Sequence, residues 1–293
     1  MEHWPDGMGC PYCQARLEVG GEAGDMLRCS GCGEQFPVVG GIPVLLRRRD
    51  EARLGRFSEE YRQARLAEGQ VRQSPEQARA LPYGRPPGFS ALYWQVRRES
   101  FCALMAVLAR EGPDPAYGPA VDMGAGSGWL SYRLAQAGYE VLAVDASRDE
   151  AFGLAAAQAY YGLLPAIQFL QGDLEWPPLQ VGGLGLVVFN ASLHYARDLE
   201  GTLFRCARAL RPTGRLVILD APVASRPRPG TERGDRHLGR QELHAALLAA
   251  GLEPRWLAVR RGAGWWIHQA KAWLRQQPRF SFPMVVAKRT TLT

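Results

Sequence analysis

From about residue 113 onward the chain alternates short, very apolar runs with helix-patterned segments, and this alternation constrains the fold more than any other feature. Ala120–Gly124, Glu140–Asp145, Ala166–Gly172, Leu184–Asn190 and Arg215–Asp220 read as strands. Trp129–Ala137 and the stretches 149–161, 199–210 and 240–250 read as the helices between and after them. Pro254–Val259 and Phe282–Lys288 read as closing strands. That order predicts an α/β fold, a mostly parallel sheet with helices on both faces. Ligands of such sheets sit beyond the carboxyl ends of the strands, where the strand order reverses.

The turn after the first of these strands is Asp122-Met123-Gly124-Ala125-Gly126-Ser127-Gly128. Glycines between a strand and a helix let backbone approach a ligand closely. Their spacing is G-x-G-x-G, unlike the G-x-G-x-x-G of dinucleotide sites. Asp122 lies two residues ahead of the first glycine. A carboxylate there suits a cofactor bearing an amino group and a sulfonium, and it repels a pyrophosphate. Asp145, followed by Ala146, ends the second strand 21 residues past Gly124, where a ribose diol is hydrogen-bonded in sheets of this kind. Asp173-Leu174 follows the third strand and reads as an acceptor for an adenine amino group. Asn190-Ala191-Ser192-Leu193-His194-Tyr195 ends the fourth, where the loop passes beneath a methyl donor.

With these stations in view, residues 118–220 resemble class I S-adenosylmethionine-dependent methyltransferases, in particular the small-molecule type of quinone biosynthesis. The resemblance implies a Rossmann-like sheet of seven strands with the last antiparallel. It implies that Gly124, Ala125, Gly126 and Gly128 line the methionine part of S-adenosylmethionine, that Asp145 holds the ribose hydroxyls, that Asp173 and Leu174 meet the adenine, and that Asn190 and Ala191 close the cavity. The fourth strand begins Leu184-Gly185 where the family often has Phe-Asp.

The N-terminal segment carries a second signal. Cys10-Pro-Tyr-Cys13 and Cys29-Ser-Gly-Cys32 are two C-x2-C pairs fifteen residues apart, the spacing of a tetrahedral four-thiolate zinc site. Four protein ligands leave no open coordination position, so such a metal is structural. Residues 1–48 are too few to fold on an apolar core alone and need such a staple. Leu27–Leu46, with Gly41-Ile42-Pro43-Val44-Leu45, resembles the small zinc-ribbon activators of transfer-RNA and ribosomal methyltransferases, which bind their enzyme in trans. The resemblance implies that here the ribbon is fused to its enzyme and docks on it. Cys102 and Cys206 stand singly in helical patterns and read as core packing.

Between these parts, residues 49–112 read as a basic linker and helical lead-in to a methyltransferase domain over 113–293. Residues 47–98 hold twelve arginines against six acidic residues. The chain as a whole carries +6. That charge permits an RNA partner without requiring one. Gln70–Gly88, with four prolines, reads as a linker or loop, and 90–110 as one amphipathic helix whose Tyr93, Trp94 and Arg97 either cover the carboxylate side of the cofactor or simply pack against the domain. No stretch of about 18 apolar residues and no secretory leader stands out, so the expected compartment is the cytoplasm.

For catalysis, His194 is the candidate base, Tyr195 a substrate-orienting group, and Asp220 a carboxylate facing the same cleft. The tryptophan-rich stretch Gly262–Trp273 reads either as a wall for an apolar or planar acceptor or as a helix docked on the core, and 225–237 as a flexible basic loop able to serve as a lid. The leading expectation is a methyltransferase acting on a small organic acceptor. An RNA methyltransferase is the alternative, although no Asn-Pro-Pro-Tyr-type tetrapeptide follows the fourth strand. A non-catalytic zinc-ribbon binding partner is the third reading. Nothing in the sequence sets the oligomeric state.

Overall fold

Two glycine- and proline-punctuated hairpins follow the first cysteine pair. Strands β1 (Leu17–Gly20), β2 (Met26–Cys29), β3 (Gln35–Val39) and β4 (Ile42–Leu45) form an antiparallel meander. The computed structural model describes residues 6–21, 24–164, 166–224, 237–274 and 281–290. The lid read over 225–237 lies outside them except for His237, as does the side chain of Trp273.

Three helices come next: α1 (Arg48–Ala67), α2 (Pro75–Ala80) and α3 (Ala91–Glu111). The alternating part then runs β5 (Ala120–Met123), α4 (Trp129–Gln136), β6 (Val141–Asp145), β7 (Ile167–Gly172), β8 (Leu184–Asn190), α5 (Leu199–Ala209) and β9 (Leu210–Leu219). It closes with the short pair β10 (Val223–Ala224) and β11 (Leu238–Gly239), then α6 (Arg240–Ala249), β12 (Leu252–Leu257), α7 (Ala263–Leu274) and β13 (Met284–Arg289).

The main sheet has the order β1-β2-β3-β4-β7-β6-β5-β8-β9-β13-β12. Its last seven members are the mostly parallel α/β sheet read from the sequence, with β13 antiparallel between β9 and β12. Strands β5, β6 and β8 are buried except at the final residues of β6 and β8, as their largely apolar runs require. The sheet is wider than seven strands because the ribbon joins it. Val44 and Leu45 of β4 pair in parallel with Gln171 and Gly172 of β7, covering what would be an open edge.

A second seam ties the ribbon down. Gly9 donates its amide to the Pro178 carbonyl at 2.9 Å, and Gln180 donates to Gly7 at 2.8 Å. Gly9 is required there: a Cβ would stand 2.7 Å from the Gln180 nitrogen. Met8, Leu17, Leu27, Phe36 and Leu45 share one core with Val144, Leu170 and Leu179. Each such side chain contributes about 1.5–3 kcal/mol on burial. The small module thus uses the larger domain's core as its own.

Several local readings are corrected. At the start of the stretch read as a basic linker and helical lead-in, residues 48–67 form a continuous helix, reinforced by the i,i+3 pairs Arg62–Glu59 and Arg65–Glu68. The helix read over 149–161 shrinks to a 3-10 helix at Leu154–Tyr160. Asp149 accepts from the amides of Ala151 and Phe152, and this local turn competes with helix formation. Cys206 is buried as expected, but Cys102 is exposed. Among the described residues no helix is long and apolar enough to cross a membrane.

Candidate cofactor cleft and cysteine cluster

The glycine turn leaves β5 at the sheet's carboxyl edge and enters α4. Gly124, Gly126 and Gly128 all adopt positive φ, at 77°, 54° and 79°. At Gly124 a Cβ would lie 2.4 Å from the Ser192 Cβ. The loop is pinned from beneath: the amides of Gly124 and Ala125 donate to the Val144 carbonyl at 2.8 and 3.0 Å. Across the turn, β8 is followed by Ala191, whose φ of 55° is unusual for a residue with a Cβ. Strain of this kind, about 1–3 kcal/mol, persists where surrounding structure enforces it and is characteristic of ligand sites.

Two adjoining pockets open over this turn and share Tyr61, Gly124, Gly126, Phe152 and Ala191. One, about 690 Å³ and open in part to solvent, has Asp122, Ala125, Trp129 and Asn190 on its sheet side and Tyr93, Trp94 and Arg97 of α3 opposite. The other, about 550 Å³, is bounded by Asp145, Ala146, Ser147, Leu174 and Tyr195, with Phe57 and Ser58 of α1.

Each pocket has a buried carboxyl group. Asp122 accepts from Ser131 Oγ at 2.8 Å. Burial, with a smaller push from Asp145, raises its pKa to about 7. Asp145 accepts from the amides of Gly126 and Ser147, both at 2.8 Å. Burial raises it to about 6 despite those donors. Arg97 donates to the Tyr93 hydroxyl at 2.6 Å and faces Asp220 at 3.5 Å. The first pocket therefore carries one cation and one carboxyl group, a match for the zwitterionic end of an amino acid. The second offers a carboxylate beside an aromatic wall, a match for a nucleoside.

Of the residues singled out in the sequence, Asp122, Gly124, Ala125, Gly126, Asp145, Ala146, Leu174, Asn190 and Ala191 line one pocket or the other. Gly128 lies outside the lining and caps α4. Asp173 also lies outside it: its carboxylate accepts from Arg53 at 2.5 Å and from the Glu175 amide at 3.0 Å. His194 is buried within the short turn Leu193–Tyr195, which turns Tyr195 rather than His194 onto the cleft. Asp220 does not face the cleft either. It is buried, at φ 51°, among Ser100, Arg97 and Arg261.

The sequence reading missed Phe57, Ser58, Tyr61, Gln70, Gln73, Phe89 and Phe152. For α1 a signal existed. Leu54, Phe57, Tyr61 and Ala64 recur at three- and four-residue intervals through an otherwise charged run, one face of a helix.

At the other end, the Sγ atoms of Cys10, Cys13, Cys29 and Cys32 all lie within 4.8 Å of one another. Tyr12 donates its amide to Cys10 Sγ, and Gly31 and Cys32 donate theirs to Cys29 Sγ, each at 3.4 Å. Burial pushes the Cys29 thiol up, but the Gly31 and Cys32 amides together with the Cys13 and Cys32 thiols outweigh it and bring it down to about 7. Four convergent sulfurs with backbone amides directed at them are compatible with a zinc ribbon.

Residues 121–218 match the protein-family model described as a methyltransferase domain. Among curated proteins the chain is similar to a malonyl-[acyl-carrier protein] O-methyltransferase of Geobacter sulfurreducens, 30% identical over 175 residues, covering 54% of this chain and 64% of the relative. The enzyme of the same description from Methylococcus capsulatus is 30% identical over 125 residues, covering 42% and 44%. The chain thus spans less than two-thirds of these relatives. Among solved structures, geranyl diphosphate C-methyltransferase from Streptomyces coelicolor superposes with a TM-score of 0.54 at 20% identity, over 68% of this chain and 78% of that one. A chain from the Haloferax volcanii complex between the Trm112 methyltransferase activator and a methyltransferase gives 0.52 at 21% identity, over 67% and 92%. At these identities the structural likenesses speak for the fold.

Proposed function

We propose that the protein is an S-adenosylmethionine-dependent methyltransferase acting on a small organic acceptor, with a structural zinc ribbon built into the same chain. The observation that carries this reading is the pair of pockets meeting over the glycine turn, one lined by both Arg97 and Asp122 and the other with Asp145 beside aromatic rings. The cofactor, when bound, supplies a methyl group activated on a sulfonium. Gly124, Ala125 and Gly126 would expose backbone to the amino-acid end, with Gly128 fixing the turn that presents them. Asp145 and Ala146 would meet the ribose, Leu174 the adenine, and Asn190 with Ala191 would close the cavity beneath the reacting atoms. Tyr61, Phe89, Tyr93 and Trp94 would exclude water and align the acceptor, which is the main task in a displacement of this kind.

The curated relatives are in keeping with a small acceptor group: their printed name specifies a malonyl group carried on an acyl-carrier protein as what they methylate. The ribbon reads as an internal counterpart of the activator in the Haloferax complex. The RNA reading has weaker support, because much of the basic stretch is internally neutralised. Arg47 pairs with Asp50, Arg53 with Asp173, Arg62 with Asp149 and Arg97 with Asp220. Free thiols and thiolate ligands suit a reducing cytoplasm.

Calorimetry with S-adenosylmethionine on zinc-loaded protein is the test. Binding with a stoichiometry of one supports the reading, and absence of binding overturns it and favours a non-catalytic ribbon protein. Salt-dependent RNA binding of cofactor-loaded protein would move the acceptor to the RNA class.

A further inference from the structure

We propose that α7 is an interfacial helix: its outward stripe of Trp266, Ile267, Ala270 and Leu274, flanked by Arg260 and Lys271, docks on an anionic phospholipid surface. This docking is independent of the cofactor cleft.

The stripe is written in the sequence. Ala263, Trp266, Ile267, Ala270 and Leu274 recur at three- and four-residue intervals, so they share one face of a helix about 18 Å long. In a helix packed on a domain, that face turns to the core. In α7 it turns outward. Trp265 is the side chain that faces the core, 7% exposed, with its ring 5.4 Å from that of Phe282. Trp266, Ile267 and Leu274 are 62%, 56% and 73% exposed, and Ala263 and Ala270 are exposed beside them. Among the described residues no other helix bears more than one large apolar side chain so exposed.

The start of the helix is anchored, which fixes this orientation. The buried Arg261 side chain donates to the Val96 and Phe282 carbonyls at 2.8 and 2.9 Å. The Gly262 amide donates to Glu99 at 3.0 Å. Both Val96 and Glu99 belong to α3, which also carries Tyr93, Trp94 and Arg97 into the first pocket. A surface docked on α7 therefore adjoins the helix that walls the cleft.

Charge identifies what covers the stripe. The forty residues after Glu253 hold eight Lys and Arg and no Asp or Glu, the longest acid-free run in the chain. Some of these cations are engaged internally: Arg255 pairs with Glu111, Arg261 with Glu99 and Asp220, and Lys288 with Glu253. Arg260, just before the helix, and Lys271, in its last turn, are exposed and have no ion pair among the described residues. An apolar stripe edged by cations, on a segment free of carboxylates, suits the headgroup plane of a bilayer. Tryptophan and leucine enter the acyl boundary there, and the cations meet phosphates. A nucleic acid would meet the cations and leave Ile267 and Leu274 in water. A second copy would set one acid-free segment against another, and like charges oppose that.

The experiment is co-sedimentation of full-length, zinc-loaded protein with vesicles of phosphatidylcholine mixed with phosphatidylglycerol, and of phosphatidylcholine alone. The wild type should bind the mixed vesicles roughly tenfold or more tightly, and salt should weaken that binding. Trp266→Ser/Ile267→Ser should weaken it roughly tenfold or more. Lys271→Glu should weaken it more than about fivefold, and Lys271→Arg should not. Phe204→Ser, which removes an exposed ring from α5, should bind as the wild type does. Every position changed is exposed, so thermal midpoints should stay close to the wild-type value. Vesicles with brominated acyl chains should quench wild-type tryptophan fluorescence, and Trp266→Phe should bind with much of that quenching lost. Vesicle binding unaltered in Trp266→Ser/Ile267→Ser overturns the proposal, as does quenching unaltered in Trp266→Phe. A dimer that the same double variant disperses also overturns it and assigns the stripe to a second copy. So does equal binding to both vesicle types, or binding of RNA in place of vesicles. Vesicle binding is measured without cofactor, so its failure leaves the methyltransferase reading standing.

Discussion

Replacing Asp122 by Asn should separate stability from cofactor affinity. Asp122 is 1% exposed, and its carboxyl is held at about 7 rather than 3.8, chiefly by burial. Its native pKa is raised, so between these values the folded protein holds a proton that the unfolded chain has released. Stability therefore falls as pH rises through that window and levels off above about 7. At 1.36 kcal/mol per pH unit the full cost of the charged form is about 4 kcal/mol. Asn keeps an oxygen for the Ser131 hydroxyl and cannot ionise, so it escapes this cost. Asp122→Asn should differ little from wild type near pH 4 and become more stable than it by up to about 4 kcal/mol at pH 8. It should also bind S-adenosylmethionine at least tenfold more weakly, because a cationic ligand loses its counter-charge. Urea unfolding of both proteins at pH 4.5, 6 and 8, with calorimetry at pH 8, measures both effects. A stability difference that does not vary with pH would refute the buried-charge argument, and unchanged affinity would remove Asp122 from the cofactor site.

Three other outcomes follow from the same geometry. Asp145→Ala should weaken cofactor binding by about 1–3 kcal/mol, as ribose hydroxyls lose their acceptor, and unchanged affinity in calorimetry would count against that contact. Gly124→Ala forces a Cβ to 2.4 Å from Ser192 at positive φ, so it should cost about 1–2 kcal/mol for the backbone alone and more for the clash, read as a lower urea midpoint. Metal stripped by a chelator should lower the thermal midpoint of the whole chain rather than melt a separate ribbon, because Leu27, Phe36 and Leu45 share a core with β6 and β7. A scan in which only the N-terminal residues unfold would show the two cores to be independent.

How far the site was legible depended on the range over which its chemistry operates. The glycine turn, the strand-end carboxyls Asp122 and Asp145, and the four cysteines are local patterns, each written within a few residues, and all could be read directly. Their placement on an alternating strand–helix ladder was legible too, because that periodicity is local. The misreadings concern direction and partnership. Whether His194 or Tyr195 faces a cleft depends on one 3-10 turn, and a shift of one residue reverses the answer. Asp220 looked like a cleft residue until Ser100, Arg97 and Arg261, from distant parts of the chain, converged on it.

By itself, then, the sequence determined the parallel α/β sheet, the glycine turn between strand and helix and the four-thiol cluster, because each follows from neighbouring residues and their backbone preferences. Only the tertiary structure decided that the ribbon is an edge of the same sheet and that a charged stretch resembling a linker is the wall of the pocket. It also decided that Asp173 faces a helix arginine rather than the cavity. Those outcomes rest on the pairing of β4 with β7, two strands more than 120 residues apart, and no local pattern encodes which free edge a short strand will join.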